Sequence, residues 1–268
     1  MPISARAFVC RRVPSSLALS TLLTLLAWPT VARAQVNTEP FRKRIKETGY
    51  SFFLQGTFDG HTGNTSGLTA DGLVGAGVAH GKHLAFAFAS VDYSKLNEAL
   101  GVDKSFAHAR YDYAITKRVS WEAFVQEQSD VFQLIKTRDL IGTGPRFALY
   151  DDAHFGLFLG IAYMAERDVY DLTLGSTDDR LQGAQRASTY LSAHATLTDG
   201  IDTVTTTYAQ PNLRDPSDIR ILSESGFVFK INAWLSTSIS FVAHYDSNPV
   251  PGVLPTDTEL KNAITLTL

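Results

Sequence analysis

Apolar and polar side chains alternate along most of this chain with a period of two. The clearest run is residues 154–166, where one face carries Phe155, Leu157, Leu159, Ile161 and Tyr163 and the other carries Gly156, Phe158, Gly160, Ala162 and Met164. A period of two is the repeat of a β-strand, whose successive side chains point to opposite faces. About twelve such segments lie between residues 50 and 268, so the pattern predicts an all-β protein.

The length of these segments favours strands that cross a membrane. Most of them span about 9 to 13 residues, whereas strands of globular proteins usually have about 5 or 6. A tilted strand that crosses a bilayer needs about 9 to 11 residues. Pro145 lies inside one segment and is an awkward residue for a central strand.

The connections alternate between tight turns, as near His80 and Thr116, and longer loops, as at residues 95–102 and 167–185. Bacterial outer-membrane barrels have short turns at one end, long loops at the other and an even number of strands. The sequence thus predicts an antiparallel up-and-down transmembrane β-barrel of about 12 strands.

In such a barrel the apolar face of each strand contacts lipid and the polar face lines the interior, because a charge facing the bilayer midplane costs about 2–4 kcal/mol. The bulky face of residues 84–93, with Leu84, Phe86 and Phe88, is therefore expected to face lipid. A soluble barrel has the opposite arrangement, and alternation alone does not decide between them. The predicted interior residues are His108, Arg110, Asp112, Glu122, Lys136, Arg138, Arg146, Glu166, Arg220, Glu224 and His244.

The last segment, residues 257–268, is an amphipathic strand suited to closing the barrel onto the first one. Its residues Lys261, Ala263, Leu266 and Leu268 resemble the C-terminal assembly signal of bacterial outer-membrane barrels. Ala263 replaces the usual glycine, and Leu268 replaces the commoner aromatic residue. The expected partners are therefore outer-membrane lipid and, during insertion, the barrel-assembly machinery; the oligomeric state is not predicted.

The first residues have the pattern of an export signal. Arg6, Arg11 and Arg12 precede a short apolar core, and residues 32–34 form a small-x-small cleavage site. We expect residues 1–34 to be a signal peptide, 35–49 a periplasmic N-terminal lead and 50–268 the barrel. The expected location is the cell outer membrane.

Charge and cysteine content narrow the function classes. Residues 1–34 contain four arginines and no acidic residue, so removing them changes the 24 basic and 27 acidic residues to 20 and 27, a net charge of −7. This charge argues against a nucleic-acid partner. The single cysteine, Cys10, lies in the predicted signal, so the mature chain has no disulfide framework.

One pair of residues raises the possibility of catalysis. Ser192 and His194 stand two positions apart and share a strand face, as does the His-x-Ser pair of outer-membrane phospholipases. The order is reversed here, the predicted register turns both residues inward, and no third orienting residue is identifiable. A pair of ordinary polar interior residues is the favoured interpretation.

No metal or cofactor site is predicted. His80 and His83 flank a turn, and four aspartates follow at Asp168, Asp171, Asp178 and Asp179, but their spacing fits no calcium loop. The Gly-x-Gly pairs at residues 75–77 and 142–144 lie within strands, and without a following helix they are not nucleotide-binding fingerprints.

Short motifs in four places resemble one bacterial family of uncharacterised outer-membrane proteins. They are Gly56-Thr57-Phe58 with Thr62-Gly63-Asn64-Thr65, then Arg110-Tyr111-Asp112-Tyr113, then Arg138-Asp139 with Gly142-x-Gly144, and finally Thr256-Asp257-Thr258. The family carries the domain of unknown function 481, and its members are often labelled salt-induced outer-membrane proteins. The resemblance implies an outer-membrane β-barrel and brings no established activity or catalytic residues.

Together these features predict an outer-membrane barrel with a structural, stress-related or narrow pore-like role and no enzymatic activity. Interior charges of both signs favour a filled lumen over a wide selective pore. The alternatives are a lipid hydrolase that uses Ser192 and His194, and a soluble periplasmic barrel that binds an apolar ligand.

Overall fold

The computed structural model describes residues 42, 45–46, 49–61, 67–96, 99–171 and 179–268. Within them the chain forms twelve strands and the short 3-10 helix Val131–Gln133, and residues 42 and 45–46 before the first strand are helical. In the same residues, no helix is long and apolar enough to cross a membrane. The strands are β1 Tyr50–His61, β2 Gly67–His80, β3 His83–Leu96, β4 Ala99–Ala114, β5 Val119–Asp130, β6 Ile135–Asp151, β7 Phe155–Asp171, β8 Asp179–Thr198, β9 Ile201–Pro211, β10 Ile219–Lys230, β11 Leu235–Asp246 and β12 Thr256–Thr267.

Every strand pairs antiparallel with its neighbours in sequence, and β1 pairs with β12, so the sheet closes into a barrel. The predicted all-β, antiparallel, twelve-stranded fold is confirmed, and so is closure by the last segment. The closing seam is short: register pairs run from Phe53 opposite Thr267 to Gly56 opposite Ile264, and Phe52 and Leu268 exchange two backbone hydrogen bonds. β7, by contrast, pairs with β8 over its whole length.

One end of the barrel, here called the turn end, carries the connections at residues 81–82, 115–118, 152–154, 199–200 and 231–234. Thr116, Asp152 and Asn232 each begin a tight turn and accept hydrogen bonds from the backbone N–H groups two and three positions on. The Tyr150 hydroxyl also donates to Asp152 at 2.7 Å. The Tyr150 bond and the two backbone bonds stabilise the carboxylate and lower the pKa of Asp152 to about 2.

The opposite end, the loop end, differs from the sequence prediction. The expected loop at residues 95–102 is mostly strand, since β3 ends at Leu96 and β4 begins at Ala99. The expected loop at residues 167–185 is also largely strand, because β7 runs to Asp171 and β8 begins at Asp179. Polar residues at this end continue the pairing between strands. The sequence prediction ended these strands too early because it took polar residues as a sign of loops.

The outer face of the barrel is apolar, as predicted. Ile161 on β7 is 45% exposed and Ile264 on β12 is 59% exposed, whereas the Arg110 side chain is buried inside. A soluble barrel shows the reverse distribution, with its apolar side chains gathered at the centre. Exposed aromatic residues concentrate near the turn end, including Tyr50, Tyr113, Trp121, Tyr150 and Trp234. Such a belt is typical of a membrane interface.

Outward charges mark where the apolar belt stops on the loop side. Glu127, Asp139 and Arg167 lie side by side on β5, β6 and β7, and Arg167 pairs with Asp139 at 3.3 Å. On β7 the outward residues from Phe155 to Ala165 are apolar or aromatic. This stretch has the length that a tilted strand needs to cross hydrocarbon.

β3 contradicts the predicted orientation. Leu84, Phe86 and Phe88 face the interior and are almost fully buried, while Ala87 and Ala89 are exposed outside. Neighbouring strands also send apolar side chains inward, so these groups bury one another instead of facing charges. The resulting cluster, here called the apolar wall, contains Ile45, Phe53, Leu73, Leu84, Phe86, Phe88 and Phe106.

Two glycines of β2 make room for the apolar wall. A Cβ added to Gly75 would lie 2.1 Å from Cζ of Phe53, and one added to Gly77 would lie 2.3 Å from Cδ1 of Ile45. Both distances are far below van der Waals contact. The Gly-x-Gly pair in this strand therefore serves close packing.

Candidate functional site in the barrel interior

The interior near the turn end is organised around a buried arginine that precedes the first strand. Arg42 is 2% exposed and donates from Nη1 to Asp112 of β4 and from Nη2 to Glu122 of β5, the latter at 2.9 Å. Ile45, three residues on, lies in the apolar wall. Arg42 and Ile45 therefore lie inside the barrel, while the periplasmic lead at residues 35–49 stays a prediction.

Glu122 collects donors from several strands. The Tyr190 hydroxyl of β8 lies 2.9 and 2.8 Å from its two oxygens. Arg110 Nη1 lies 3.5 Å from Oε2, and Arg146 Nε lies 3.9 Å from Oε1. Charge-assisted bonds of this kind offset part of the desolvation of a buried carboxylate. We call Arg42, Arg110, Asp112, Glu122, Arg146 and Tyr190 the turn-end cluster.

A second ionic group, the loop-end cluster, lies nearer the loops. Arg138 of β6 makes a bidentate pair with Asp168 of β7, with both distances 2.7 Å. Arg220 of β10 reaches Glu166 at 2.7 Å and Asp168 at 3.2 Å. Arg220 thereby links β10 to β7 although the two strands are not neighbours in the sheet. The cluster comprises Arg138, Glu166, Asp168, Tyr170, Arg186 and Arg220.

The acidic residues considered for calcium have other roles here. Asp168 is 1% exposed and accepts from Arg138, Arg220 and the Tyr170 hydroxyl. Asp171 is exposed at the end of β7. Asp178 and the side chain of Asp179 lie outside the described residues. In the described part of the chain, no group of three or more His, Cys, Asp or Glu could hold a metal ion.

The structure puts almost all predicted interior residues on the inner face. His108, Arg110, Asp112, Glu122, Arg138, Arg146 and Glu166 are buried, and Arg220, Glu224 and His244 are half-buried. Lys136 is corrected: its side chain is exposed, because the β6–β7 register shifts between Ile135 and Thr137. A bulge of this kind breaks the inward-outward alternation.

The residues of the predicted assembly signal alternate between the two faces of β12. Lys261 and Ala263 face inward, and Lys261 Nζ lies 3.5 Å from Oε2 of Glu259. Leu266 is 39% and Leu268 is 78% exposed. The geometry matches the pattern, while its use in assembly stays a prediction.

Sequence reasoning missed several buried interior residues, among them Tyr190, Arg186 and Arg42. Tyr190 and Arg186 have the same strand parity as Ser188 and Ser192, so alternation already placed them inside. Arg42 carried no such signal, because it precedes the first alternating segment. Its burial depends on an approach of distant chain segments that periodicity does not report.

A small cavity separates the two ionic clusters. Its polar lining includes His108, Arg110 and Tyr190, and its apolar lining includes Leu140 and Met164. Around it, the His108 ring stacks against Phe88, Phe106 and Phe124 at centroid distances of 5.3, 6.2 and 6.1 Å. The cavity is therefore partly aromatic and partly a hydrogen-bonding surface.

The candidate catalytic pair lies inside the barrel, as its register predicted. Ser192 is 1% exposed, and its hydroxyl is 2.8 Å from that of Thr206. His194 packs on Phe158 at 5.6 Å. His83, considered for metal binding, lies with Nδ1 2.6 Å from the Tyr111 hydroxyl. A buried serine hydrogen-bonded to threonine is a packing arrangement, and it does not face lipid.

Comparison with known proteins identifies a family but no activity. No curated protein matches the sequence. Among solved structures, the translocator domain of the autotransporter NalP from Neisseria meningitidis is 14% identical, with a TM-score of 0.46 over 86% of this chain and 95% of that chain. The KdgM porin is 8% identical, with a TM-score of 0.45 over 81% and 98%. Likeness at these levels says nothing about function. The profile of the family described as "Protein of unknown function, DUF481" matches residues 57–267, and the chain belongs to this family.

Proposed function

We propose that the chain is an integral outer-membrane barrel without catalytic activity, whose narrow, ion-lined lumen is closed by the segment that precedes β1. The observation that carries the proposal is Arg42, bound inside the lumen to Asp112 and Glu122. Arg42 connects the segment before the first strand to β4 and β5 of the barrel. Displacing it would break this connection and leave Asp112 and Glu122 without the Arg42 donor.

The membrane location is supported by the apolar outer face and the inward position of buried charges. An export signal at residues 1–34 is consistent with this location. Fractionation tests the proposal against a soluble periplasmic barrel: we expect the protein in the outer-membrane fraction, released only by detergent. Recovery from the periplasm without detergent would contradict it.

The closed lumen is tested by single-channel recording of the refolded chain in planar bilayers. We expect the wild-type barrel to conduct rarely, and Arg42→Ala to raise the open fraction by about tenfold, as loss of about 1.4 kcal/mol of closing free energy would produce. The matched control is Lys46→Ala, since Lys46 belongs to the same segment and is exposed. Equal, silent recordings from all three proteins would leave a structural role without a pore.

The Ser192 hydroxyl bonds to Thr206 and the His194 ring packs on Phe158, and neither contact favours a lipid hydrolase. We expect Ser192→Ala to leave the lipase activity of the protein in detergent micelles unchanged, at background. A stress-related role and insertion by the barrel-assembly machinery are part of the proposal. Rising protein levels in cells grown at high salt would support the first.

A further inference from the structure

The cavity between the two ionic clusters contains hydrogen-bond donors that the protein does not use. Nε and Nη1 of Arg110 are buried donors, and the two ring nitrogens of His108, one a donor and the other an acceptor in the neutral ring, are buried too; none of the four has a hydrogen-bond partner among the described residues. Both side chains line the cavity, and they are 6% and 5% exposed. Buried donors without a partner cost about 1–3 kcal/mol each, so they call for a ligand or ordered water.

Glu122 does not satisfy these donors because its oxygens already serve other groups. Arg42 donates to Oε1, and the Tyr190 hydroxyl is within 2.9 Å of both oxygens. Arg110 Nη1 approaches Oε2 only to 3.5 Å and makes no hydrogen bond with it. The guanidinium is left beside the cavity with unused N–H groups.

The local charge favours a negative ligand over water. Arg110 lies at the cavity, and its carboxylate neighbour Glu122 also pairs with Arg42 and Arg146. A guanidinium with unused N–H groups is stabilised by a nearby anion.

The opposite wall of the cavity also offers a donor. Ser188 accepts a bond from Gln210 Nε2 at 3.4 Å, so its own O–H proton can point into the cavity. Phe106, Phe124 and Met164 close the remaining sides and limit the size of an occupant.

We propose that this cavity binds a small monovalent anion of about the size of chloride, held by Arg110 and His108 with Ser188 opposite. The site is independent of whether the lumen conducts, because it requires only the closed barrel. The site lies on the inner face of β4, next to the Arg42 contacts. A bound anion would therefore stabilise the folded interior.

The wild-type protein tests this directly. In detergent, its Tm is measured while chloride replaces gluconate at constant sodium concentration and ionic strength, since gluconate is too large for the cavity. Ligand that binds only the folded state raises the Tm with concentration, and we expect a rise of about 3 °C at saturation. A Tm that is the same in both anions would overturn the proposal and assign the cavity to water.

Variants locate the effect. Arg110→Gln should abolish the chloride dependence of Tm, and His108→Phe should weaken the apparent affinity by about tenfold. The matched control is Arg138→Gln, which removes a buried arginine of the loop-end cluster and should lower the Tm but keep the chloride dependence. If Arg110→Gln retains the wild-type dependence, the proposal is wrong.

Bromide replaces chloride in a measurement that needs no variant. Anomalous diffraction from wild-type crystals grown in bromide should show a peak in the cavity next to the Arg110 guanidinium. Peaks confined to the protein surface would overturn the assignment even if the Tm responds to chloride.

Discussion

The two sides of the barrel interior are packed with different kinds of side chain, apolar on one side and largely charged on the other. On the side of β1 to β4, the apolar wall fills the lumen with Phe53, Phe86 and Phe88. From β4 to β10, ion pairs such as Arg138 with Asp168 occupy much of the lumen, beside a smaller buried cluster of Tyr190, Tyr208, Leu222 and Val242. Both sides have apolar residues on the outer face. The composition of the outer face is therefore set by contact with the bilayer, and that of the inner face by the side chains that neighbouring strands bring into contact.

The two sides differ in how strictly they require particular side chains at each position. Apolar groups pack without a fixed direction, and volume is what they must match. Ion pairs demand particular partners, and removing one member leaves the other buried without compensation. The segment before β1 contacts both sides, since Ile45 packs in the apolar wall and Arg42 binds the turn-end cluster. The charged side should therefore respond more sharply than the apolar wall to a conservative substitution.

The largest effect is expected from Glu122→Gln. The substitution keeps the shape but removes the charge that faces Arg42, Arg110 and Arg146, so we expect a loss of about 4 kcal/mol in the free energy of unfolding. Urea-dependent unfolding in lipid or detergent measures it. The control is Glu127→Gln on the outer face of the same strand, where we expect a change within about 0.5 kcal/mol. Equal losses at both positions would contradict the account of the turn-end cluster.

Phe53→Ala should cost about 3 kcal/mol, because Phe53 is 1% exposed and its loss leaves a cavity in the apolar wall. Phe53→Leu, which keeps most of the volume, should cost only about 1 kcal/mol. The same unfolding measurement gives both values. If the leucine variant loses as much stability as the alanine variant, the apolar wall tolerates conservative substitution no better than the charged side. That result would contradict the difference between the two sides.

Gly75→Val should cost about 2 kcal/mol through overpacking, since a Cβ at this position meets the Phe53 ring. The double variant with Phe53→Leu should lose less than the sum of the two single variants, because the smaller side chain frees space. A strictly additive loss in urea unfolding would show that the two residues do not compete for the same volume.

The smallest effect lies outside both sides, in the turn at Asp152. Its folded pKa, about 2, is below the ordinary value of an aspartate, about 3.9, so the charged carboxylate contributes stability that is present above about pH 4 and is lost as pH falls towards 2. We expect Asp152→Ala to lower the Tm slightly at pH 6, and the difference from wild type to shrink between pH 4 and 2. A difference independent of pH over that range would rule out a contribution from the charge.

Much of this fold could be predicted because a strand period of two is visible in the residues themselves. The run from Phe155 to Tyr163 gave a strand, its orientation and, with its repeats, the strand number. The orientation of β3 could not be predicted, because Phe86 and Phe88 are suited both to lipid and to an apolar interior. Choosing between them requires knowing that Phe53 and Ile45 arrive from other segments.

The candidate site was predicted to a similar extent. Alternation predicted an inward orientation for the charged residues. Lys136 is the exception, because it points outward at a bulge that the polar pattern does not reveal. Arg42 was missed because ion pairs over 70 and 80 positions in sequence have no local signature. The cavity was likewise unpredictable, since it depends on which donors remain without partners after packing.

Depth-dependent fluorescence quenching tests the central claim, that apolar side chains face lipid while ions fill the interior, most directly. Trp121 and Trp234 are 47% and 53% exposed on the outer face near the turn end. In vesicles of brominated lipids, we predict strong quenching of both by bromines near the headgroup, weaker quenching by bromines at the bilayer centre, and little quenching by aqueous iodide. Quenching by iodide with no effect of the brominated lipids would show that the apolar face does not contact a bilayer.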